Sequence, residues 1–190
     1  MINDISVIDN FLNPDIFSEF KKSIMNQTSW YFTENISGEE IRDPRKYYGF
    51  GFTFVEFENP DVYKKVRGSW FLQNLNNKIM KRFNFRTVLR CRSDMTTYRG
   101  EDDLILDPHI DLEGKHYTTI FYLNECDAPT IIYNEKIVYG DVKNYSGSLT
   151  EKKRVYPKEN RLLVFNGNHI HTGMCPKNTS YRILINSNFK

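Results

Sequence analysis

Two histidines and one aspartate are the residues of this sequence whose types and spacing best suit a metal ion. His109 and Asp111 form an H-x-D pair, and His171 follows much later in the chain. Along a strand, residues i and i+2 point to the same face, so the His109 imidazole and the Asp111 carboxylate can converge on one point. Two imidazoles and one carboxylate on one face of an octahedron are typical of non-haem Fe(II) sites, where three positions stay open.

Arg182 is the fourth residue of interest. It lies in the apolar segment YRILI at 181–185, where an unpaired guanidinium would be costly to bury, so we expect it to bind an anion. Its planar fork of donors matches a carboxylate better than a lysine would. The alternative is an arginine on an edge strand that points at water.

A lone H-x-D pair is weak evidence, and the segments around these residues add the specific signal. They are TTIFYLN at 118–124, RVYPKENRLLVF at 154–165, HTG at 171–173 and SYRILIN at 180–186. From about Tyr98 onward the sequence resembles the 2-oxoglutarate/Fe(II)-dependent dioxygenases, most closely the prolyl-hydroxylase-like branch. In that branch a Tyr-Leu-Asn strand follows H-x-D, a proline turn precedes an apolar strand, and H-x-G leads to an Arg or Lys.

The resemblance implies an α+β fold with a double-stranded β-helix, or jelly roll, as its core. We expect a single domain over residues 1–190, with the jelly-roll core over about 86–190. Residues 1–85 would form an N-terminal extension of supporting helices and strands.

The resemblance also implies roles for individual residues. His109, Asp111 and His171 would ligate Fe(II), and Arg182 would bind the distal carboxylate of 2-oxoglutarate, with Tyr122 and Tyr98 in the same pocket. No side chain beyond the metal ligands is expected to be catalytic. The implied reaction is hydroxylation of an organic substrate by O2, with conversion of 2-oxoglutarate to succinate and carbon dioxide and with ascorbate as a candidate reductant.

Some positions leave alternatives open or depart from the branch. His169 lies on the same strand face as His171, but only His171 has the H-x-G context, so His169 is interpreted as a supporting or barrel-lining residue. His116 is interpreted as an ordinary strand residue. The segment DAPT at 127–130 replaces paired glycines before threonine, and Asn160 stands where a turn glycine is common. Asparagine tolerates the left-handed backbone, so the second change is mild.

The expected substrate is a peptidyl-proline or another protein side chain. Four aromatic residues are interpreted either as a surface that receives it or as core: Tyr47, Tyr48, Phe50 and Phe52. A small-molecule hydroxylase and a nucleic-acid demethylase are alternatives within the same chemistry. The demethylase branch carries a second arginine where this chain has Pro176, and the net charge is only +2, so nucleic acid is the disfavoured partner. A non-catalytic jelly-roll binding module is the alternative from another class.

Composition agrees with one domain in the cytoplasm and no membrane partner. A chain of 190 residues is long enough for one substantial core. Its three cysteines lack C-x-x-C spacing, which predicts reduced thiols. The first residues lack a basic region followed by an apolar run, and nowhere do about eighteen apolar residues occur together.

The hydrophobic pattern predicts helices early and strands late. We expect a strand at 5–8, a helix from the Asn13-Pro14 cap to about Met25, and strands at 30–33 and 47–57. A second helical pattern continues from Pro60 to Phe83, with a break and new cap at Ser69. From residue 85 onward the pattern predicts strands and turns. The polar segments 36–46 and 140–153 are candidate lids or plain surface loops.

Overall fold

The computed structural model describes residues 4–27, 29–36, 44–55, 69–100, 103–140, 142 and 145–190. Helices and strands alternate at first, and only strands follow α3 among these residues. In chain order the elements are β1 (Ile5–Ile8), α1 (Pro14–Gln27), β2 (Tyr31–Thr33), α2 (Pro44–Tyr47), β3 (Gly49–Val55), α3 (Ser69–Phe83), β4 (Val88–Thr97), β5 (Tyr117–Tyr122), β6 (Thr130–Lys136), β7 (Glu151–Val155), β8 (Arg161–Asn166), β9 (His169–Gly173) and β10 (Tyr181–Phe189).

Helix α1 begins at the predicted cap. The Asn13 side-chain oxygen accepts a hydrogen bond from the backbone N–H of Asp15 at 3.0 Å, which satisfies one of the free donors at the helix start. The helix runs two residues past the predicted end, to Gln27.

One apolar residue of α1 lies outside the buried face of the helix. Phe17, Phe20 and Ile24 are buried, whereas Ile16 is 55% exposed. Successive residues are about 100° apart around a helix, so Ile16 lies beside the buried stripe rather than on it.

The region between α1 and α3 departs most from the prediction. Tyr47 ends the short helix α2 instead of beginning a strand, and β3 covers only Gly49–Val55. Helix α3 spans Ser69–Phe83, and the predicted restart at Ser69 stays a prediction because the residues before it are not described. Residues 56–68, on which the first part of that helical pattern falls, lie outside the described residues, as does most of the candidate lid at 36–46.

Two antiparallel sheets form the body of the fold. The larger has seven strands in the order β1-β8-β5-β10-β4-β3-β2, and the smaller has three in the order β7-β6-β9. Strands from the predicted N-terminal extension therefore form both edges of the larger sheet. This pair of sheets is the arrangement expected of a jelly roll.

Two apolar clusters separate the layers. Helices α1 and α3 cover one face of the larger sheet, where Phe20 contacts Phe121 and Leu75 belongs to the same apolar cluster. Its other face packs against the smaller sheet through residues such as Ile120 and Ile132. Because neighbouring residues of a strand point to opposite faces, β5 contributes Phe121 to the helix side and Ile120 to the space between the sheets.

Asn160 joins the N-terminal segment to the turn before β8. Its φ is 59°, so it adopts the left-handed conformation predicted for this position. Its side-chain oxygen accepts from the backbone N–H of Leu12, and its side-chain amide donates to the Leu12 carbonyl, both at 2.8 Å. The Asn160 carbonyl also accepts from the backbone N–H of Phe11 at 3.0 Å. Asparagine therefore supplies both the turn and a clamp.

The remaining global predictions concern cysteines and membranes. Cys91, Cys126 and Cys175 are buried and free, in agreement with the predicted thiols. Among the described helices, none has the length and apolar character needed to cross a bilayer.

Candidate metal centre and its cavity

Backbone pairing brings the two predicted histidine ligands together. The N–H of each residue, His109 and His171, donates to the carbonyl of the other at 2.9 Å, so they form an antiparallel bridge. Their ring centroids lie 4.7 Å apart. Asp111 follows two residues after His109, and one ligand atom from each of the three residues lies within 4.8 Å of the others.

Both imidazoles present the same nitrogen to the centre of this group. His109 Nδ1 lies 2.8 Å from the Asp107 carbonyl, and His171 Nδ1 lies 3.0 Å from the His169 carbonyl. A carbonyl only accepts, so each Nδ1 carries the proton and each Nε2 keeps its lone pair. The Nε2 atoms face Asp111, at 4.0 Å from Oδ1 for His109 and 3.7 Å from Oδ2 for His171.

The charge states suit a cation. His171 Nε2 is buried and has no hydrogen-bond partner among the described residues. Burial lowers the pKa of His171 to about 4 and also lowers the pKa of His109, so both rings are neutral near pH 7. An orphaned lone pair beside a buried carboxylate is the donor set that a divalent transition metal requires.

Asp111 is held by donors from three neighbouring strands. Its carboxylate accepts from Arg90 Nη2 at 2.6 Å, Asn188 Nδ2 at 2.8 Å, Thr118 Oγ1 at 2.9 Å and Asn186 Nδ2 at 3.2 Å. Burial alone would raise the pKa of Asp111, but the charge of Arg90, with smaller contributions from the two histidines, holds it well below its usual range. The carboxylate is thus ionised and oriented by the protein itself.

Sequence reasoning missed these supporting residues. On β10 they continue the alternation that begins at Arg182, through Leu184 and Asn186 to Asn188. Asparagines at every second position of an otherwise buried strand were the available signal, since buried amides need partners.

Removal of the Arg90 charge is expected to destabilise the metal-free protein by about 3 kcal/mol, because one partner of a buried ion pair is then left alone. The test is Arg90→Met, measured by denaturant unfolding with and without Co(II). Since a cation would replace the lost counter-charge of Asp111, added Co(II) should stabilise Arg90→Met more than it stabilises the parent protein.

The matched control is Arg86→Met, which removes an exposed arginine shortly before β4. It should leave both the metal-free stability and the Co(II) response close to those of the parent. An Arg90→Met protein with parental metal-free stability would contradict the role of this ion pair.

Arg182 is buried with an incomplete set of partners. Its Nη2 donates to Thr130 Oγ1 at 2.7 Å, while its Nε is buried without a hydrogen-bond partner among the described residues. A Cβ on Gly173 would come within 3.3 Å of Nη1, so glycine leaves the guanidinium its space. Arg182 forms no ion pair with the described residues, and an anion from outside the chain would complete the hydrogen bonding of its guanidinium.

One cavity connects these groups. Its lining includes Arg182 and Thr130 together with His109 and His171, and part of it opens to solvent. Leu106, Ile120 and Leu184 contribute apolar wall. A small dicarboxylate could therefore contact the arginine and reach the histidines within the same space.

The two predicted tyrosines occupy different positions. The Tyr122 hydroxyl donates to Thr130 Oγ1 at 2.7 Å, but Thr130 lines the cavity and Tyr122 does not. Tyr98 follows β4, is 47% exposed and does not line the cavity. Thr130, from the DAPT segment, is one of the cavity residues that sequence reasoning missed.

The other two histidines are occupied elsewhere. His169 Nδ1 donates to the Tyr133 carbonyl at 2.7 Å, and its Nε2 lies 3.2 Å from Asp4. His116 Nδ1 lies 3.0 Å from the Gly114 carbonyl, away from the three clustered ligands.

The four aromatic residues proposed as a receiving surface are dispersed among other contacts. Tyr47 packs on a small cluster with Leu106, and Phe52 packs against the main core. Phe50 and Tyr48 contact Phe32, which is itself 59% exposed. The structure describes all four of these aromatic residues, and none of them lines the cavity.

Comparison with solved structures identifies the fold. An oxidoreductase of the 2OG-Fe(II) oxygenase family from Burkholderia pseudomallei matches with a TM-score of 0.69 and 9% identity, over 98% of this chain and 85% of that one. The non-haem α-ketoglutarate-dependent epimerase SnoN of nogalamycin biosynthesis matches with a TM-score of 0.68 and 9% identity, over 99% and 78% of the two chains. No protein-family model and no curated protein sequence matches this chain.

A prolyl hydroxylase is also among the similar structures. The enzyme from Trichoplax adhaerens, in complex with a peptide of the hypoxia inducible factor oxygen degradation domain, matches with a TM-score of 0.59 and 16% identity, over 98% and 83% of the chains. At such identities the likeness concerns the fold. This chain has the fold of the 2-oxoglutarate/Fe(II) oxygenases, and the resemblance predicted from its motifs is confirmed at that level.

Proposed function

We propose that this chain is a non-haem Fe(II)- and 2-oxoglutarate-dependent oxygenase that oxidises an organic substrate. The observation that carries the proposal is the shared cavity, which is lined both by the histidines of the His-Asp-His group and by an arginine whose hydrogen bonding is incomplete. The fold supports the proposal, since the similar structures include members of the 2OG-Fe(II) oxygenase family.

Each residue has a defined task in this proposal. The Nε2 atoms of His109 and His171 and one oxygen of Asp111 would hold Fe(II). Arg182, fixed by Thr130, would bind the distal carboxylate of 2-oxoglutarate through paired donors. Tyr122 would act through Thr130, whose orientation it fixes.

When bound, iron and 2-oxoglutarate supply oxidation of a substrate C–H bond by O2, coupled to decarboxylation of 2-oxoglutarate to succinate. The protein orients both partners and limits access of water. Leu106, Ile120 and Leu184 provide the apolar wall for this. No side chain needs to act as a nucleophile.

The fold is compatible with more than one class of substrate. Hydroxylation of a peptidyl-proline or another protein side chain is compatible with the similar prolyl hydroxylase, whose complex contains a peptide. Oxidation of a small molecule is equally compatible with the similar SnoN, an enzyme of nogalamycin biosynthesis. A nucleic-acid substrate has no comparable support.

The test uses purified protein loaded with Fe(II) without oxygen. We expect a visible charge-transfer band on titration with 2-oxoglutarate, and slow formation of succinate after admission of air even without substrate. Protein treated with a chelator is the control and should show neither.

Two outcomes would contradict the proposal. A protein that binds Fe(II) and 2-oxoglutarate but never forms succinate would be a non-catalytic binding module. A protein that binds metal through this site without any response to 2-oxoglutarate would be a metal protein of another kind.

A further inference from the structure

The cavity contains more hydrogen-bond acceptors than iron and 2-oxoglutarate would use. Asp94 Oδ1 and Asn186 Oδ1 are buried, have no hydrogen-bond partner among the described residues and belong to residues that line the cavity. Neither is assigned to the metal or to the co-substrate above. Buried acceptors without donors are costly, so their presence points to a ligand that supplies the donors.

Asp94 is the stronger of the two acceptors. Its side chain is only 9% exposed, and its other oxygen, Oδ2, accepts from Arg92 Nε at 2.9 Å. Gly51 pairs with Asp94 on the neighbouring strand β3 and places no side chain against Oδ1. One oxygen of the carboxylate is therefore fixed by Arg92, and the other is buried without a donor among the described residues.

Asn186 adds a second acceptor of known orientation. Its amide nitrogen donates to both oxygens of Asp111, at 3.2 and 3.4 Å. The amide oxygen must then point away from Asp111. Because Asn186 is opposite Arg92 in the register of β4 and β10, it is a diagonal neighbour of Asp94.

Charge decides the kind of donor. Burial raises the pKa of Asp94 above its usual range despite the opposing charges of Arg92 and Arg90, and the contact with Arg92 offsets the negative charge of the ionised form. A cation bound at Oδ1 would therefore lie near the positive Arg92 guanidinium, and the Asp94 carboxylate between them is already paired with Arg92. A neutral O–H or N–H meets no such repulsion and satisfies the same lone pair.

We propose that Asp94 Oδ1, assisted by Asn186 Oδ1, binds a neutral hydrogen-bond donor of the substrate close to the metal. This inference rests on the proposed function and narrows its substrate class. The oxidised group would carry a hydroxyl or an amide N–H, as in a polyol, a sugar or a polar side chain. A proline ring within a peptide offers neither, so it fits this part of the cavity less well.

The experiment measures succinate release by Fe(II)-loaded protein with defined probes. Sorbitol and methyl glucoside supply hydroxyls, N-acetylserine methylamide and N-acetylasparagine methylamide supply polar side chains, and N-acetylproline dimethylamide supplies no donor. We expect at least one donor-bearing probe, and not the proline probe, to accelerate succinate release above the basal rate.

The decisive variant is Asp94→Asn. Its amide oxygen would accept from Arg92 in place of Oδ2, so its NH2 would face the cavity and turn the acceptor into a donor. We expect the half-saturating concentration of the active probe to rise about tenfold or more. The matched control is Ser93→Ala, which removes another buried, unpartnered oxygen on the opposite face of β4 and should change neither the basal rate nor the stimulation.

Three results would overturn this inference while leaving the proposed function intact. They are stimulation by the proline probe alone, no stimulation by any donor-bearing probe, and equal stimulation of Asp94→Asn and parent. The last would also be the result if Asp94 were protonated and acted as a donor. Absence of both the charge-transfer band and basal succinate would instead refute the proposed function.

Discussion

Replacement of Arg182 by alanine is expected to weaken 2-oxoglutarate binding by roughly ten- to a hundredfold while Fe(II) binding stays nearly intact. The guanidinium is buried, its Nε has no partner in the part of the chain that the structure describes, and it shares the cavity with His109 and His171. Hydrogen bonds to charged groups contribute about 1.5–3 kcal/mol each, and about 1.4 kcal/mol corresponds to tenfold in affinity. The measurement is an anaerobic titration of the Fe(II) protein with 2-oxoglutarate, followed by its charge-transfer band.

Two further variants make this titration specific. Arg182→Lys should recover only part of the affinity, since lysine keeps the charge and loses the paired donors. Arg154→Ala, which removes an arginine paired with Glu151 on β7 outside the cavity, should titrate like the parent. An unchanged curve for Arg182→Ala would place the co-substrate carboxylate elsewhere.

The His171→Ala variant is expected to lose more than about a hundredfold in Fe(II) affinity. Loss of a residue that merely supports a metal ligand lowers metal affinity by roughly 10–100-fold, so loss of a ligand should lower it further. Without the His171 ring, Asp111 and His109 alone would face the cation. Calorimetric titration with Co(II) or anaerobic Fe(II) gives the affinity, and basal succinate release should fall with it.

His169→Gln is the matched control, because it alters the neighbouring histidine on the same strand. The His169 ring contacts Asp4 and the Tyr133 carbonyl and lies outside the clustered ligands. The His169→Gln protein should therefore retain its metal affinity, even where the loss of these contacts lowers its free energy of unfolding. Loss of metal by His169→Gln with retention by His171→Ala would reverse the ligand assignment.

The candidate metal ligands could be predicted from the sequence because each depends on a short spacing or a local motif. The i, i+2 spacing of His109 and Asp111 follows from strand periodicity, and the context of His171 separates it from His169. The structure brings the three side chains together as the pattern predicts. Their role as iron ligands stays a prediction that the titrations above address.

The sequence did not predict that the polar residues of β4 lie around the cavity. Arg90, Arg92 and Asp94 alternate with Cys91 and Ser93, and alternation alone indicates two faces without saying which one meets solvent. A sequence pattern normally places charges toward water. Here the helices cover the opposite face of the sheet, so the charged face is the one that surrounds the cavity. Only the pairing of β4 with β10 reveals this.

The Asn160 clamp has a consequence for the order in which the chain can assemble. The residues it joins, Leu12 and Asn160, are separated by 148 positions, and β1 pairs with β8 over a similar span. During synthesis the segment that contains β1 and Leu12 is made well before its docking partners, the turn at Asn160 and β8. Closure of so long a loop is entropically costly and lowers folding rates. A segment made early is therefore among the last to find its place.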